Sequence, residues 1–256
     1  MPLTITTEAP PRVTVGGCLI DPLDMEQTLD RCEELIASGG IAQHVAINAA
    51  KIVAMQRDPE LRSIVQGCEL VSADGQSVVW ASRLLGHPVP ARVAGIDLMQ
   101  ELLGRSERKG LSVYFLGAKD EVLQRAVAGI RERYPELVIA GARDGYFDDS
   151  EGQAVADEVR AAKPDILFVA ISSPKKEYWL GTHGREIGVP FIMGVGGSID
   201  VMAGITRRAP RPLQRLGLEW AFRLAQEPGR LWRRYLTTNT RFVGLVLAER
   251  FRATRS

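Results

Sequence analysis

Short, fully apolar runs alternate with longer amphipathic runs along most of this chain. Short apolar runs suit strands buried on both faces, and the longer runs place their apolar residues on one face of a helix. Their alternation predicts an α/β fold with a mostly parallel sheet flanked by helices. The predicted strands are Val13–Val15, His44–Ile47, Leu70–Ser72, Ser112–Leu116, Val138–Ala140, Ile166–Ile171 and Phe191–Val195. The predicted helices are Met25–Ala37, Ala49–Met55, Gln76–Leu85, Leu98–Arg108, Glu121–Tyr134, Glu151–Ala162 and Lys176–Gly184.

After Ala209 the pattern contains helices alone, and prolines separate them. The dipeptide Glu227-Pro228 fits the end of one helix and the first turn of the next. We therefore divide the chain into a loose N-terminal tail, a sheet domain and a helical C-terminal appendage, at 1–12, 13–205 and 206–256. In the last helix four apolar residues fall near one face, namely Leu231, Tyr235, Phe242 and Val246. This pattern is typical of a helix lying in a membrane interface, or of a terminal helix packing on its own domain or on another subunit of a homo-oligomer.

Charge is distributed very unevenly along the chain. Residues 206–256 hold twelve arginines, no lysine and three glutamates, a formal charge of +9 within a chain of net charge +1. Arginine suits bidentate contacts with phosphate, and basic residues near an anionic leaflet contribute about 1 kcal/mol each. The appendage is therefore predicted to meet an anionic membrane surface or a substrate phosphate. The alternative is that these arginines form a solvated helical face without a specific partner. Nucleic acid is not an expected partner.

Cysteine usage and hydropathy restrict the compartment. Cys18, Cys32 and Cys68 lack metal-ligand or CxxC spacing, so they are interpreted as buried thiols of a reducing cytoplasm. No signal-peptide pattern opens the chain, and Arg241 and Glu249 interrupt its most apolar C-terminal stretch. A cytoplasmic protein without a membrane span is predicted.

Polar and glycine-rich residues follow most of the predicted strands. Because ligands bind at the carboxyl ends of strands in open parallel sheets, these residues are expected to converge on one edge. They are Asn48, Asp74-Gly75, 117–119, 144–146, 172–177 and 194–200.

Asp74 is the candidate for proton transfer, because it stands between an apolar strand and a glycine. A carboxylate there could accept the proton of an attacking sugar hydroxyl. The alternative is an N-cap for the helix beginning near Gln76, and Asn48 has a similar capping alternative at the next helix.

The loop Gly194–Gly197 suits a phosphate, since backbone N–H groups at a helix start point at an anion. It is neither GxGxxG nor a P-loop, so dinucleotide binding and P-loop chemistry are disfavoured. His44, His87 and His183 are isolated, and no Asp-x-Asp triplet is present. No cofactor and no metal are expected, and arginines would have to neutralise a leaving diphosphate.

Several segments together resemble the WecG/TagA/CpsF family of bacterial glycosyltransferases (glycosyltransferase family 26). The resemblance covers roughly residues 13 to 236, and its segments are DGQSVVWASRLLG (Asp74–Gly86), RVAGIDL (Arg92–Leu98), YFLGAKDEV (Tyr114–Val122), DGYF (Asp144–Phe147), SPKKE (Ser173–Glu177) and the run from Gly194 to Tyr235.

The resemblance implies a Rossmann-like catalytic domain and an inverting, metal-independent reaction. Members transfer a sugar from a UDP-sugar donor to a polyprenyl-pyrophosphate-linked acceptor, and a basic appendage brings them to the inner face of the cell membrane. It implies that Asp74 is the general base. It further implies substrate-binding roles for Asn48, Arg92, Tyr146, Asp200, Gly196, Gly197, Arg223, Arg230 and Arg233, with Tyr146 and Asp200 at the uracil and the arginines at the pyrophosphate.

Two positions depart from the family pattern. Ala46 stands where the family often has Thr, and Lys176 where it commonly has Gln. Lys176 could pair with a uronate carboxylate or assist the leaving phosphate. The donor sugar therefore stays open among N-acetylmannosamine, its uronic acid, glucose and related sugars.

Two other classes of function remain as alternatives. One is a non-catalytic subunit of a polysaccharide assembly complex that binds a nucleotide sugar or lipid. The other is a sugar-nucleotide oxidoreductase, which the missing dinucleotide fingerprint disfavours.

Overall fold

The computed structural model describes residues 10–253, apart from the side chains at positions 215, 230, 231, 234 and 253. The predicted tail therefore lies largely outside the described residues. Arg12 is described: its Nε lies 3.0 Å from Asp21 Oδ1, and its guanidinium also donates to the carbonyls of Cys68 and Glu69.

A six-stranded parallel sheet forms the centre of the molecule, in the order β4-β3-β8-β7-β5-β6. This confirms the predicted α/β class. The strands are β3 (Ala42–Ile47), β4 (Leu70–Ala73), β5 (Ser112–Gly117), β6 (Val138–Arg143), β7 (Ile166–Ala170) and β8 (Phe191–Gly194).

A separate two-stranded sheet, β1 (Val13–Val15) with β2 (Cys18–Ile20), precedes the main sheet. The expectation that Val13–Val15 belongs to the parallel sheet is wrong, because it pairs antiparallel with β2. Gly16 and Gly17 turn the hairpin with φ of 59° and 73°, a left-handed pair that glycine adopts without steric cost.

Nine α-helices accompany the sheet before the appendage in the described chain. The predicted bounds of α1, α2 and α4 are confirmed, and the helix α3 was not predicted. The helices are α1 (Met25–Ala37), α2 (Ala49–Met55), α3 (Pro59–Gln66), α4 (Gln76–Leu85), α5 (Gly95–Lys109), α6 (Asp120–Arg133), α7 (Gly152–Ala162), α8 (Lys175–Ile187) and α9 (Ser198–Met202).

Alternate side chains of the central strands enter different cores. On β5, Val113 and Phe115 pack in a cluster with residues of α1, α5 and α6, whereas Tyr114 and Leu116 pack with residues of α7 and α8. A third cluster joins β3 and β4 to α2, α3 and α4. Both faces of the sheet are therefore buried, which explains why the strands read as continuous apolar runs.

After Ala209 the described chain contains helices alone, as the sequence pattern indicates: α10 (Arg211–Arg215), α11 (Glu219–Gln226) and α12 (Pro228–Ala253). The break between α11 and α12 falls at Glu227-Pro228. Phe242 and Val246 of α12 are each 4% exposed and join the core of α2 and α4. The C-terminal half of α12 thus packs on the body, the second of the two expectations for this face.

Glu249 fixes the same end of α12, since its Oε2 accepts the Gly16 N–H at 2.6 Å. Within residues 10–253, no helix is both long and apolar enough to cross a bilayer. The three cysteines are free and buried, and burial raises the pKa of Cys18 and of Cys68 to about 12.

Candidate functional site

The ends of β4, β3 and β8 place three predicted segments side by side at one edge of the sheet. Asp74 follows β4, Asn48 follows β3, and the loop Gly194–Gly197 continues from β8. The backbone N–H of Asp74 donates to Ile47 O at 2.9 Å, which joins the first two turns. Neighbouring strands are about 4.8 Å apart, so the three segments form one continuous edge.

Gly75 lets these two turns approach closely. A Cβ on Gly75 would lie 3.2 Å from both Cα and Cβ of Asn48. Asn48 itself caps α2, because its Oδ1 accepts the Lys51 N–H at 3.1 Å. The capping interpretation of Asn48 is confirmed, and its substrate-binding role stays a prediction.

Asp74 does not cap α4. Gly75 occupies the N-cap position, without a side-chain capping bond, so that alternative for Asp74 is wrong. Instead, Asp74 Oδ1 accepts the N–H of Gly95, the first residue of α5, at 3.2 Å. Asp74 as a residue is half-buried, and its carboxylate lies at the start of a helix, where a negative charge is favoured.

The pKa of Asp74 is raised, and burial is the largest cause. Arg92, the Gly95 N–H and Arg223 each lower this pKa, and Glu219 raises it. A raised pKa makes a carboxylate a stronger base once it is ionised. The arrangement can therefore hold and accept a proton.

Arg92 lies at the boundary between the body and the appendage. Its Nη1 donates to Glu219 Oε2 of α11 at 2.9 Å, and the two side chains are only 16% and 12% exposed. Arg208 also joins the two regions, since its guanidinium binds the Asp97 carboxylate with both Nη atoms. Arg208 Nε lies 3.6 Å from Glu219 Oε1.

Sequence reasoning missed Glu219, Arg208 and Asp97. A signal existed for Glu219, which is one of three acids among twelve arginines in residues 206–256. An acid retained in so basic a segment suggests a specific partner. Which arginine it binds depends on how α11 docks, and the sequence does not contain that information.

Lys176 lies in a buried charged cluster behind the strand ends. Its Nζ is 3.0 Å from Glu177 Oε1, and Lys51 Nζ is 2.7 Å from the same oxygen. The Lys176 and Glu177 side chains are 7% and 4% exposed. A Cβ on Gly194 would lie 2.4 Å from Lys176 Nζ, so the ammonium contacts the backbone at the last residue of β8.

Opposing effects set the protonation of this cluster. Burial lowers the pKa of Lys176 to about 8, and Lys51 adds to this effect while Glu177 opposes it. Burial raises the pKa of Glu177, but Lys51 and Lys176 outweigh it and lower that pKa to about 2. Burial also lowers the pKa of His44 to about 3, so this imidazole is neutral and its Nε2 lies 2.8 Å from Ser72 Oγ.

The glycine loop leads into a short helix. Gly196 has φ of +50°, and the following helix α9 contains five residues. Asp200 lies within α9, and its carbonyl accepts the N–H groups of Ile205 and Thr206 at 2.9 and 3.2 Å. This turn starts the segment that leads into the appendage. Phosphate binding by Gly196 and Gly197 stays a prediction.

Tyr146 follows β6, but its loop turns back toward the centre of the sheet. The neighbouring Gly145 N–H donates to the carbonyl of Ala118, which follows β5, at 3.0 Å. The Tyr146 side chain is 71% exposed, and its backbone N–H donates to Asp144 Oδ1 at 2.9 Å. A Cβ on Gly145 would lie 3.1 Å from the side chain of Ile171, which follows β7, so the loop of Tyr146 reaches the middle of this edge.

The three predicted appendage arginines differ in their surroundings. Arg223 is exposed on α11 and acts on the charge of Asp74. Arg233 is exposed on α12, and its guanidinium lies 5.2 Å from the centre of the Trp232 ring. The Arg230 side chain lies outside the described residues.

Two further features bear on ligands. In the described part of the chain, no three His, Cys, Asp or Glu side chains are grouped to hold a metal ion. A cavity of about 160 Å³ opens between α3 and α8, at the start of β3 and so at the opposite edge of the sheet from Asp74. It contains none of the predicted site residues.

Fold and site together define a Rossmann-like α/β protein with a charged site at its strand ends, closed on one side by a basic appendage. The chain belongs to the glycosyl transferase WecG/TagA/CpsF family, whose model matches residues 13–256. A solved structure, a substrate-binding periplasmic protein from Ralstonia solanacearum, is similar at 14% identity and a TM-score of 0.32. The match covers 72% of this chain and 53% of that protein, so this chain spans about half its length, and the likeness carries no functional argument.

Proposed function

We propose that this protein is an inverting, metal-independent glycosyltransferase that moves a sugar from a UDP-sugar to a polyprenyl-pyrophosphate-linked acceptor. Cell-surface polysaccharide biosynthesis is the proposed setting. The observation that carries this proposal is the half-buried Asp74 at the strand ends, under the charge of Arg92, in a chain of a glycosyltransferase family.

In the proposed reaction, the acceptor hydroxyl gives its proton to Asp74 while its oxygen attacks the anomeric carbon of the donor. The bond from that carbon to the diphosphate oxygen breaks, and UDP leaves with the bonding electrons. Attack from the face opposite the leaving group inverts the configuration. One carboxylate is then sufficient, and general base action contributes about 10²–10⁴-fold.

Arginines are proposed to neutralise the charge that develops on the departing UDP. Arg92 and Arg223 both act electrostatically on Asp74, so they lie near the proposed reaction centre. Guanidinium groups match phosphate oxygens in bidentate geometry. Arg230 and Arg233 are proposed to extend this contact from the appendage.

The donor is proposed to lie along the strand ends, with Gly196 and Gly197 at its phosphates and Tyr146 and Asp200 at its uracil. Lys176 is proposed to tune recognition of the sugar. The Lys176 side chain is only 7% exposed, so a uronate would have to enter a buried site to bind its ammonium directly. The donor sugar therefore has to be determined by assay.

The proposed location is the inner face of the cell membrane, with α12 lying on anionic lipid. Five exposed apolar side chains of α12 fall within about 100° of arc at about 3.6 residues per turn. They are Trp232, Leu236, Val243, Leu247 and Phe251, between 43% and 64% exposed. This stripe differs from the face that Phe242 and Val246 bury against the body.

The reaction is tested by measuring UDP release from a panel of UDP-sugars with a short-chain polyprenyl-pyrophosphate-linked GlcNAc acceptor. Acceptor-dependent release from one donor, unchanged by EDTA and lost in Asp74→Ala, is expected. Asp30→Ala, an exposed aspartate of α1, is the control and should retain release. Release that persists in Asp74→Ala would remove the proposed base, and no release from any donor would favour a binding subunit.

Membrane docking is tested with vesicles of anionic phospholipid at increasing salt. Leu247→Asp should weaken binding more than Ala248→Asp, because both add one negative charge but only Leu247 belongs to the apolar stripe. Equal binding of the two variants would show that the stripe does not enter the lipid. Binding that is insensitive to salt would contradict the role of the arginines.

A further inference from the structure

Glu219 begins α11 and is the appendage residue bound to Arg92. The contact is a single charge-assisted hydrogen bond of 2.9 Å between Arg92 Nη1 and Glu219 Oε2. Because both side chains are mostly withdrawn from water, the bond is stronger than an exposed ion pair. Within the described residues, the other N–H groups of this guanidinium have no hydrogen-bond partner.

Glu219 is also connected to Asp74 through Arg208 and Asp97. Glu219 Oε1 lies 3.6 Å from Arg208 Nε, and both Nη atoms of Arg208 donate to the Asp97 carboxylate. Asp97 lies in the first turn of α5, two residues after Gly95, whose N–H donates to Asp74. The docked appendage therefore reaches Asp74 through Arg92 and through the start of α5.

We propose that Glu219 is a positioning residue of the candidate site, which holds Arg92 beside Asp74 while the appendage is docked on the body. Arg92 has a long side chain with several freely rotating bonds, and water competes for its guanidinium. Without an acceptor on α11, Arg92 turns away from the carboxylate. This inference rests on the proposed role of Asp74 as the base.

The charges near Asp74 predict the direction in which its pKa changes when Glu219 is replaced. Arg92 and Arg223 lower the pKa of Asp74 and Glu219 raises it. Arg92 has the strongest effect of the three and Glu219 the weakest. If Glu219 acts only through its own charge, its removal lowers the pKa of Asp74. If Glu219 positions Arg92, its removal raises that pKa, because the larger effect of Arg92 is lost as well.

The experiment compares Glu219→Ala and Glu219→Asp with wild type, using the exposed Glu132→Ala on α6 as a control. Glu219→Asp keeps the charge but shortens the side chain by one methylene group, so the oxygen no longer reaches Arg92. The ¹³C carboxyl resonance of Asp74, assigned with Asp74→Asn, is followed through a pH titration. Thermal melting shows whether each variant is folded.

The expected result is an upward shift of the Asp74 pKa in both variants at position 219 and no shift in Glu132→Ala. An Asp74 pKa that falls in Glu219→Ala, or that is unchanged in Glu219→Asp, overturns the proposal. Should Glu219→Ala not fold, Glu219→Asp carries the test alone. Because this readout needs no donor, it separates the inference from the proposed reaction.

A kinetic measurement with the donor found by assay complements the titration. Glu219→Asp should lower kcat by about 10-fold or more with a smaller change in the donor KM, since misplacing a group by about 1 Å can cost 10²-fold. An unchanged kcat would overturn the positioning role. If Asp74 titrates as expected but no variant transfers sugar, the proposed function fails and the Arg92 contact stands.

Discussion

Two groups of charged residues lie near the same edge of the sheet, and they differ in which parts of the chain supply their members. Lys51, Lys176 and Glu177 form a buried cluster supplied by α2 and α8 of the body alone. Asp74 and Arg92 come from the body, but the ion pair that completes their group is made by Glu219 of the appendage.

The difference suggests separate roles for the two groups. Charges withdrawn from water need partners, and the buried cluster has them within one folded unit. The Asp74 group obtains its ion-pair partner from the appendage, which follows the sheet domain in the chain. We therefore assign Glu177, the shared counter-charge of the buried cluster, to stability and the Asp74 group to chemistry. Replacing a carboxylate by an amide should therefore lower the stability of the protein in the buried cluster, but not in the Asp74 group.

The largest expected contrast is between Glu177→Gln and Asp74→Asn. Glu177→Gln leaves two buried ammonium groups without a counter-charge and should destabilise the protein by roughly 3–5 kcal/mol. Asp74→Asn keeps an oxygen for the Gly95 N–H and removes a carboxylate whose raised pKa marks a cost of ionisation in the folded state. Its stability at pH 7 should equal or exceed that of wild type.

Denaturant unfolding of the two variants measures this contrast. The sign for Asp74 follows from linkage: a raised folded-state pKa favours folding at acid pH, and this contribution is lost as the pH rises through it. Equal destabilisation by both substitutions would make Asp74 a structural residue and remove the distinction between the groups.

The next contrast tests the docking of the appendage. Phe242→Ala deletes a side chain that is 4% exposed between α12 and the body, and should cost about 3 kcal/mol. Val243→Ala, at a neighbouring position that is 54% exposed, should change stability by less than about 0.5 kcal/mol. Similar effects at the two positions would show that α12 does not pack on the body as described.

The sequence predicts the parts of the fold that depend on local pattern. The bounds of α1, α2 and α4 follow from their apolar periodicity, and the strands follow from their apolar runs. The helix α3 was not predicted, although Asp58 and Pro59 form a start signal that could have revealed it. The three-residue strand β2 was not predicted either.

The sequence predicts those residues of the candidate site that directly follow a strand, but not the contacts that depend on tertiary packing. Asp74 and Asn48 follow strands, so parallel topology alone brings them together. The Arg92–Glu219 pair joins residues 127 positions apart, and its formation depends on the docking of α11. The burial of Lys176 against Glu177 also depends on tertiary packing, and the motif alone did not indicate it.

The smallest expected effect concerns the buried cluster at alkaline pH. The pKa of Lys176 is about 8 in the folded protein and 10.5 ordinarily, so between these values the unfolded chain binds the extra proton. The contribution of Lys176 to stability therefore grows with pH, by about 1 kcal/mol per pH unit. The stability difference between wild type and Lys176→Met should rise from pH 8 to pH 10 in urea unfolding, and a constant difference would place this ammonium in a solvated site.

The central claim, that Asp74 is the base of a sugar transfer, is tested most directly by the pH dependence of acceptor-dependent UDP release. Wild type should lose activity as the pH falls through an Asp74 pKa above the ordinary 3.8, because the base must be ionised. Asp74→Asn should be slower by about 10²–10⁴-fold and should lack this acidic limb. An acidic limb that persists in Asp74→Asn, at a rate near that of wild type, would contradict the account.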